Sequence, residues 1–207
     1  TEARHIARTI REAFEIARTG RPGPVHVDIT KDAQQGKADF HYPDTVHLPG
    51  LHDPAPPDEE SLARAVELID KAERPLILAG AGVMRSGASQ ALREFAEKTG
   101  TPVALTLLGI GGFPQSHPLC LGMMGMHGEA FTNSAIQRAD LLLAFGMRFD
   151  DRVTGNIKTY AQHAKKIHVE IDPSEVGKNV KVDVALVSDL RVALEALTPA
   201  VKARRPE

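Results

Sequence analysis

Apolar positions along this chain change their period several times, and each change marks an element. Ile6, Ile10, Phe14 and Ala17 recur at the spacing of one helix face, and Gly20 follows where a helix C-cap belongs. Beyond Pro22-Gly23-Pro24, Val25, Val27 and Ile29 alternate with polar residues and predict a strand. Residues 31–57 then lose periodicity and fill with Pro, His, Asp and Gly, which predicts an extended connection. Order returns at Asp58-Glu59-Glu60, three carboxylates suited to a helix N-terminus, with a helix predicted through Lys71.

From Pro75 onward strands and helices alternate. Strands are predicted over 76–79, 102–107, 141–145, 166–171 and 184–187, with helices over 87–98, 129–137 and 190–197. Gly80-Ala81-Gly82 makes the first strand-to-helix turn, and Gly109-Ile110-Gly111-Gly112 opens a poorly patterned stretch that ends at Gly128. Runs such as Leu76-Ile77-Leu78 are apolar on both faces, as in a parallel sheet covered on both sides. The predicted fold is α/β, a three-layer Rossmann-like parallel sheet whose ligands sit at the carboxyl ends of the strands. One helix and one strand cannot close a core of their own. Residues 1–36 therefore read as the C-terminal end of a preceding domain in a longer enzyme. Residues 37–57 read as a linker, and the alternating strands and helices that follow as an α/β domain.

Composition narrows the class. The 207 residues are 42% hydrophobic and 25% charged, an ordinary globular balance. A net charge of −2, with basic residues gathered only at Lys202, Arg204 and Arg205, gives no electrostatic footprint for nucleic acid. The lack of Trp and the 4% aromatic content argue against base-stacking platforms. A single cysteine, Cys120, excludes an internal disulfide and fits a reducing compartment. No apolar run reaches membrane-spanning length and no secretory signal opens the chain, so a cytoplasmic protein without membrane partners is expected.

Candidate chemistry gathers after the predicted strands. Gly80-Ala81-Gly82 can bring backbone amides near a phosphate or can be a simple tight turn. Arg85 stands where a full dinucleotide fingerprint has its third glycine, and Thr106-Leu107 supplies no ribose-binding acid, which lowers the case for NAD. Gly122 to Gly128 interleaves glycines with Met123, Met124 and Met126. It reads either as a loop whose methionines fill core gaps or as a wrap around a flat ligand. His127 has no neighbouring ligands at metal spacing. The strand 141–145 delivers Arg148, Asp150, Asp151 and Arg152 together. Two guanidinium groups suit a diphosphate, and for Asp150 and Asp151 an ion pair with Arg148 or Arg152 is favoured over a role as paired catalytic carboxylates. Glu170 is placed to meet ribose hydroxyls while Asp172 caps the next turn. Asp189 either caps the last helix or meets an adenine or ribose edge. No nucleophile elbow or P-loop is present, so catalytic residues and metal ligands are not expected in this chain.

Taken in order, Arg21-Pro22-Gly23-Pro24-Val25-His26-Val27-Asp28, Gly80-Ala81-Gly82, Thr106-Leu107, Gly125-Met126-His127-Gly128 and Phe149-Asp150-Asp151-Arg152-Val153-Thr154-Gly155-Asn156 closely resemble the acetohydroxyacid (acetolactate) synthase large-subunit family over essentially the whole chain. The resemblance implies the C-terminal end of a pyrimidine-binding domain over 1–36, a linker over 37–57, a complete FAD-binding central domain over 58–198, and a tail over 199–207 leading to a further C-terminal domain. FAD would lie against Gly80, Ala81, Gly82, Thr106, Leu107, Met126, His127, Gly146, Arg148, Arg152, Val153, Glu170, Ile171 and Asp189. It also implies that thiamine diphosphate and Mg²⁺ belong to the full-length parent only, which joins pyruvate to a second pyruvate or to 2-oxobutyrate. FAD has no redox part in that reaction. The fragment alone is then expected to be inactive. Expected partners are the remaining parent domains, further copies of the parent in a homo-oligomer, and a regulatory subunit. The alternatives are a flavin-free scaffold, an NAD- or CoA-dependent relative, and the central domain of another thiamine-dependent carboligase such as glyoxylate carboligase.

Overall fold

The computed structural model describes residues 2–50 and 55–204, and the chain divides by contact into two units, Thr1–Pro54 and Ala55–Glu207. In the first unit a 3-10 turn leads into α1 (Ile6–Arg18), the helix announced by its apolar spacing. Arg8 pairs with Glu12 at 2.8 Å and Arg18 with Glu15 at 2.9 Å on its polar side. The Arg11 guanidinium donates to the Asp44 carbonyl at 3.0 Å. The alternation of Val25, Val27 and Ile29 does not yield a strand: residues 22–30 carry no regular secondary structure. A strand exists only by pairing, and no partner for this segment lies among the described residues. A short helix, α2 (Lys31–Gln35), follows inside the stretch expected to be extended.

In the second unit α3 (Glu59–Lys71) begins where its carboxylates predicted, with the Asp58 side chain accepting from the Ser61 amide at 2.8 Å. Six strands follow: β1 (Pro75–Ala79), β2 (Val103–Leu105), β3 (Cys120–Met123), β4 (Leu141–Phe145), β5 (Lys165–Glu170) and β6 (Val184–Val187). All neighbours pair parallel in the order β3-β2-β1-β4-β5-β6. The connecting helices are α4 (Gly82–Arg85), α5 (Ser89–Thr99), α6 (Ala130–Arg138), α7 (Asp151–Thr154) and α8 (Leu190–Ala200). The sequence pattern does not reveal β3, a short edge strand in which no residue is fully buried.

Alternation within the central strands builds two cores. Leu141, Leu143 and Phe145 face one way with Ile77, Leu105 and Val169, and meet Ile69 of α3, Phe95 of α5 and Leu194 of α8. Leu142 and Ala144 face the other way with Leu78 and Ala104, against Ile136 of α6, Met147, Phe149 and Tyr160. The result is the three-layer Rossmann-like α/β fold, with its crossover point between β1 and β4. The strand order reverses there across the sheet, and two strand-end loops diverge to opposite faces.

Candidate functional site

Because every strand runs the same way, all six carboxyl ends lie along one edge. The fourteen singled-out residues fall on that edge: Gly80, Ala81 and Gly82 after β1; Thr106 and Leu107 after β2; Met126 and His127 after β3; Gly146, Arg148, Arg152 and Val153 after β4; Glu170 and Ile171 at the end of β5; and Asp189 after β6.

The switch-point loops touch backbone to backbone. A Cβ on Gly82 would stand 2.5 Å from the Gly146 Cα, and one on Gly80 would stand 2.4 Å from the Gly146 carbonyl oxygen. The Gly80 amide donates to the Phe145 carbonyl at 3.0 Å and the Gly82 amide to the Gly146 carbonyl at 2.9 Å. These two amides are therefore committed to the fold, and their glycines serve close packing of the two loops. The helix that follows, α4, is a single turn ended by Gly87 at φ 66°, which leaves little helix dipole. The Gly80 and Gly82 amides are thus not free to meet an anion, and the charge available at this edge is that of side chains.

Two of those side chains are arginines. Arg148 is 53% exposed and meets Asp150 at 3.2 Å, an exposed ion pair worth about 0–1 kcal/mol that leaves the guanidinium available. Asp150 also caps α7 by accepting from the Val153 amide at 3.2 Å. Arg152 is exposed and meets the Met126 sulfur at 3.4 Å. Among the described residues no carboxylate lies within 4.0 Å of its guanidinium.

The Gly125 loop and the loop after β4 form one structure. The Met126 amide donates to the Arg152 carbonyl at 2.8 Å, and a Cβ on Gly125 would stand 2.5 Å from that same oxygen. Asn133 of α6 holds Gly125 from below: its carbonyl accepts from the Gly125 amide at 2.9 Å, and its amide donates back to the Gly125 oxygen at 2.9 Å. The sequence pattern does not single out Asn133, which carries no signal at helical spacing beyond being polar. Met124 fills the second core while Met126 is exposed over Arg152, so the methionines divide between core filling and surface.

An exposed apolar patch completes the edge. Leu107, 70% exposed, and Leu108 lie in a 3-10 turn beside Met84 of α4 and Ile110, and all four are exposed. A Cβ on Gly109 would meet the Ala79 carbonyl at 2.3 Å, so that turn is pressed onto the end of β1.

The acidic candidates are more committed. Glu170 is buried, and one carboxylate oxygen accepts from the amides of Ile171 at 3.1 Å and Asp172 at 3.3 Å. Asp172 caps the turn after β5 by accepting from Ser174, and Asp189 caps α8 by accepting from Arg191 at 2.8 Å and Val192 at 3.4 Å. The open cavity of about 970 Å³ lined by Arg74, Pro102 and Arg138 lies at the opposite, amino-terminal edge of the sheet, away from all fourteen residues.

Residues 62–197 match the family model for the thiamine pyrophosphate enzyme central domain. The chain is 47% identical over its whole length to the acetolactate synthase large subunit of Corynebacterium glutamicum, of which it covers 33%. It is 48% identical over 194 residues to a chloroplastic acetolactate synthase of Oryza sativa subsp. japonica, covering 93% of this chain and 30% of the relative. A Mycobacterium smegmatis protein described as a thiamin diphosphate-dependent enzyme superposes with a TM-score of 0.76 at 27% identity, over 98% of this chain and 38% of that one. The chain thus spans about a third of the length of the relatives it matches.

Proposed function

The chain belongs to the thiamine pyrophosphate enzyme central-domain family, and from that premise we propose that it is the FAD-binding central domain of an acetolactate synthase. The observation that carries this reading is the pair of exposed guanidinium groups, Arg148 and Arg152, beside a glycine-packed switch point and an exposed apolar patch. Two guanidinium groups, Arg148 in an exposed pair with Asp150 and Arg152 with no carboxylate within 4.0 Å among the described residues, suit a dinucleotide diphosphate. Leu107, Leu108, Ile110 and Met84 suit a flat ring system, because an apolar surface left in water gains about 25 cal/mol per Å² when a ligand covers it. The donor set therefore fits FAD better than NAD, for which the end of β2 offers Thr106 and Leu107 in place of a ribose acid.

The identities of 47–48% to acetolactate synthases support the same parent reaction, condensation of two pyruvates or of pyruvate with 2-oxobutyrate. The flavin is then a structural ligand without a redox part. Thiamine diphosphate with Mg²⁺, held elsewhere in the parent, supplies the decarboxylation and carboligation chemistry. Within this reading residues 1–36 close a preceding domain, 37–57 link it to the central domain over 58–198, and 199–207 lead onward. The parent is a cytoplasmic homo-oligomer with a regulatory subunit. No helix among the described residues is long and apolar enough to cross a membrane.

A flavin-free scaffold is the competing reading, favoured by the Gly80 and Gly82 amides being used within the fold. A titration of the purified chain with FAD, with NAD and ADP as competitors, separates the two. We expect saturable FAD binding that weakens at least tenfold in Arg148→Ala and in Arg152→Ala, with ADP competing better than NAD. Binding that ignores both substitutions would assign the affinity to another surface.

A further inference from the structure

Beneath the exposed edge, β5 presents a row of polar side chains to the second core: Lys166, His168 and Glu170, all buried. His168 is the unusual member, at 0% exposure. One ring nitrogen, Nε2, lies 2.8 Å from the Met147 carbonyl oxygen. A carbonyl only accepts, so Nε2 carries the proton and donates. The other nitrogen, Nδ1, has no hydrogen-bond partner among the described residues. The ring stands edge-on to Phe149 at 5.3 Å. An imidazole buried with one nitrogen unpaired is costly relative to an apolar side chain of similar size. What it supplies in return is the donor to Met147.

That donor acts at one end of a three-residue segment. Met147 and Phe149 are both 4% exposed and sit in the core, while Arg148 between them points outward. The Met147 carbonyl is held by His168. The Phe149 carbonyl is held by the Asn179 side-chain amide at 2.8 Å. The Arg148 carbonyl between them accepts from the Asp150 amide at 3.0 Å. Three successive peptide units are therefore fixed, two by side chains from beyond the loop. Such anchoring sets the direction of the Arg148 Cα–Cβ bond and leaves only the side-chain rotors free.

We propose that His168 and Asn179 are positioning residues for Arg148, clamping the Met147 and Phe149 carbonyls so that the guanidinium is held toward a diphosphate-bearing ligand at the sheet edge. This rests on the reading above that Arg148 meets an anion. Neither residue touches the ligand; both act through the backbone. Pre-ordering the arginine reduces the entropy lost when the ligand binds, so loss of the clamp weakens affinity even though the guanidinium remains. His168→Gln keeps an N–H near the Nε2 position, whereas His168→Leu removes it.

Two measurements on the purified chain decide the matter. In FAD titrations, His168→Leu and Asn179→Ala each weaken binding about fivefold or more, and His168→Gln stays within about twofold of the parent chain. Adding either damaging change to Arg148→Ala brings no further loss, because the clamp acts only through that side chain. Equal losses with and without Arg148, or no loss in either variant, overturn the proposal. In the ligand-free protein, hydrogen exchange at the Asp150 amide rises about tenfold in His168→Leu and Asn179→Ala but not in His168→Gln, while β4 amides are unchanged. Unchanged exchange at Asp150 also overturns it. Should the parent chain bind no FAD, the proposed function fails by itself, and the exchange result alone judges the clamp. If His168→Leu does not fold, Asn179→Ala and His168→Gln carry both measurements.

Discussion

His168 keeps a neutral ring inside an apolar layer, and that choice ties stability to pH. Burial pushes its pKa below the usual histidine value, partly offset by the Met147 carbonyl and by the negative charge of Glu175. Glu170 faces it from its own strand at 3.9 Å, Phe149 and Met147 face it from the loop after β4, and Lys166 lies two residues back on β5. The unfolded chain, with a histidine pKa of about 6.5, binds a proton that the folded chain refuses. Stability attributable to His168 is therefore fully present above about pH 6.5 and is lost as pH falls below it, by at most about 1.4 kcal/mol per pH unit. We expect denaturant midpoints of the parent chain to fall more steeply from pH 7 to 5.5 than those of His168→Gln. The other histidines contribute to both proteins alike, so the difference between the two curves is the readout. Parallel curves would mean that His168 takes up its proton without cost.

At the level of elements, the switch point is where sequence and packing meet most tightly. Gly146 has φ 58°, and a Cβ there would stand 2.6 Å from the Gly82 Cα. Gly177 has a similar φ of 69°, and a Cβ there would meet nothing within 4 Å. Alanine at Gly177 meets only the left-handed backbone penalty, roughly 1–2 kcal/mol. Alanine at Gly146 adds a clash between two backbones, roughly 1–3 kcal/mol more. Gly146→Ala should thus destabilise the chain by about 2 kcal/mol more than Gly177→Ala in urea unfolding. Equal losses would show that the β1 and β4 loops part easily. The central strands were legible because Leu141 to Phe145 is apolar on both faces, and α3 because Asp58, Glu59 and Glu60 mark its start. Strand β3 was not, since an edge strand interrupted by Gly122 has neither a continuous apolar run nor clean alternation. The strand-end placement of the candidate residues was legible, since a parallel sheet sends all its carboxyl ends to one edge. What the sequence could not convey is partnership: that Gly80 and Gly82 spend their amides on Phe145 and Gly146, or that Asn133 and Asn179 hold loops 8 and 30 residues away. Such pairings depend on which loops the fold brings together.

Across the whole molecule, apolar burial is unevenly distributed. The unit of residues 55–204 contains both core clusters, with Phe95, Phe145, Leu142 and Leu194 fully enclosed. Among the described residues of the first unit, Ala33 is the one buried apolar side chain, and α1 leaves Phe14 64% exposed. A helix that buries no side chain draws little stability from packing, and an isolated 13-residue helix is marginal in water. Its Arg8–Glu12 and Arg18–Glu15 pairs add only about 0.2–0.5 kcal/mol each. Local opening of α1 should therefore require far less free energy than opening of β1, β4 and β5, whose amides exchange only when the sheet itself unfolds. In native-state hydrogen exchange we expect α1 amides to exchange at least a hundredfold faster than those of β4. We also expect a chain shortened to residues 55–207 to keep its melting temperature within about 2 °C, because the surface removed contributes little to the ΔS of unfolding that sets Tm. Protection of α1 equal to that of β4 would mean that the first unit draws stability from beyond itself, and a large loss of melting temperature on shortening would mean that residues 55–207 draw stability from the first unit. The fourteen residues of the candidate site all lie in the retained part, so the shortened chain also isolates the edge on which the proposed FAD binding depends.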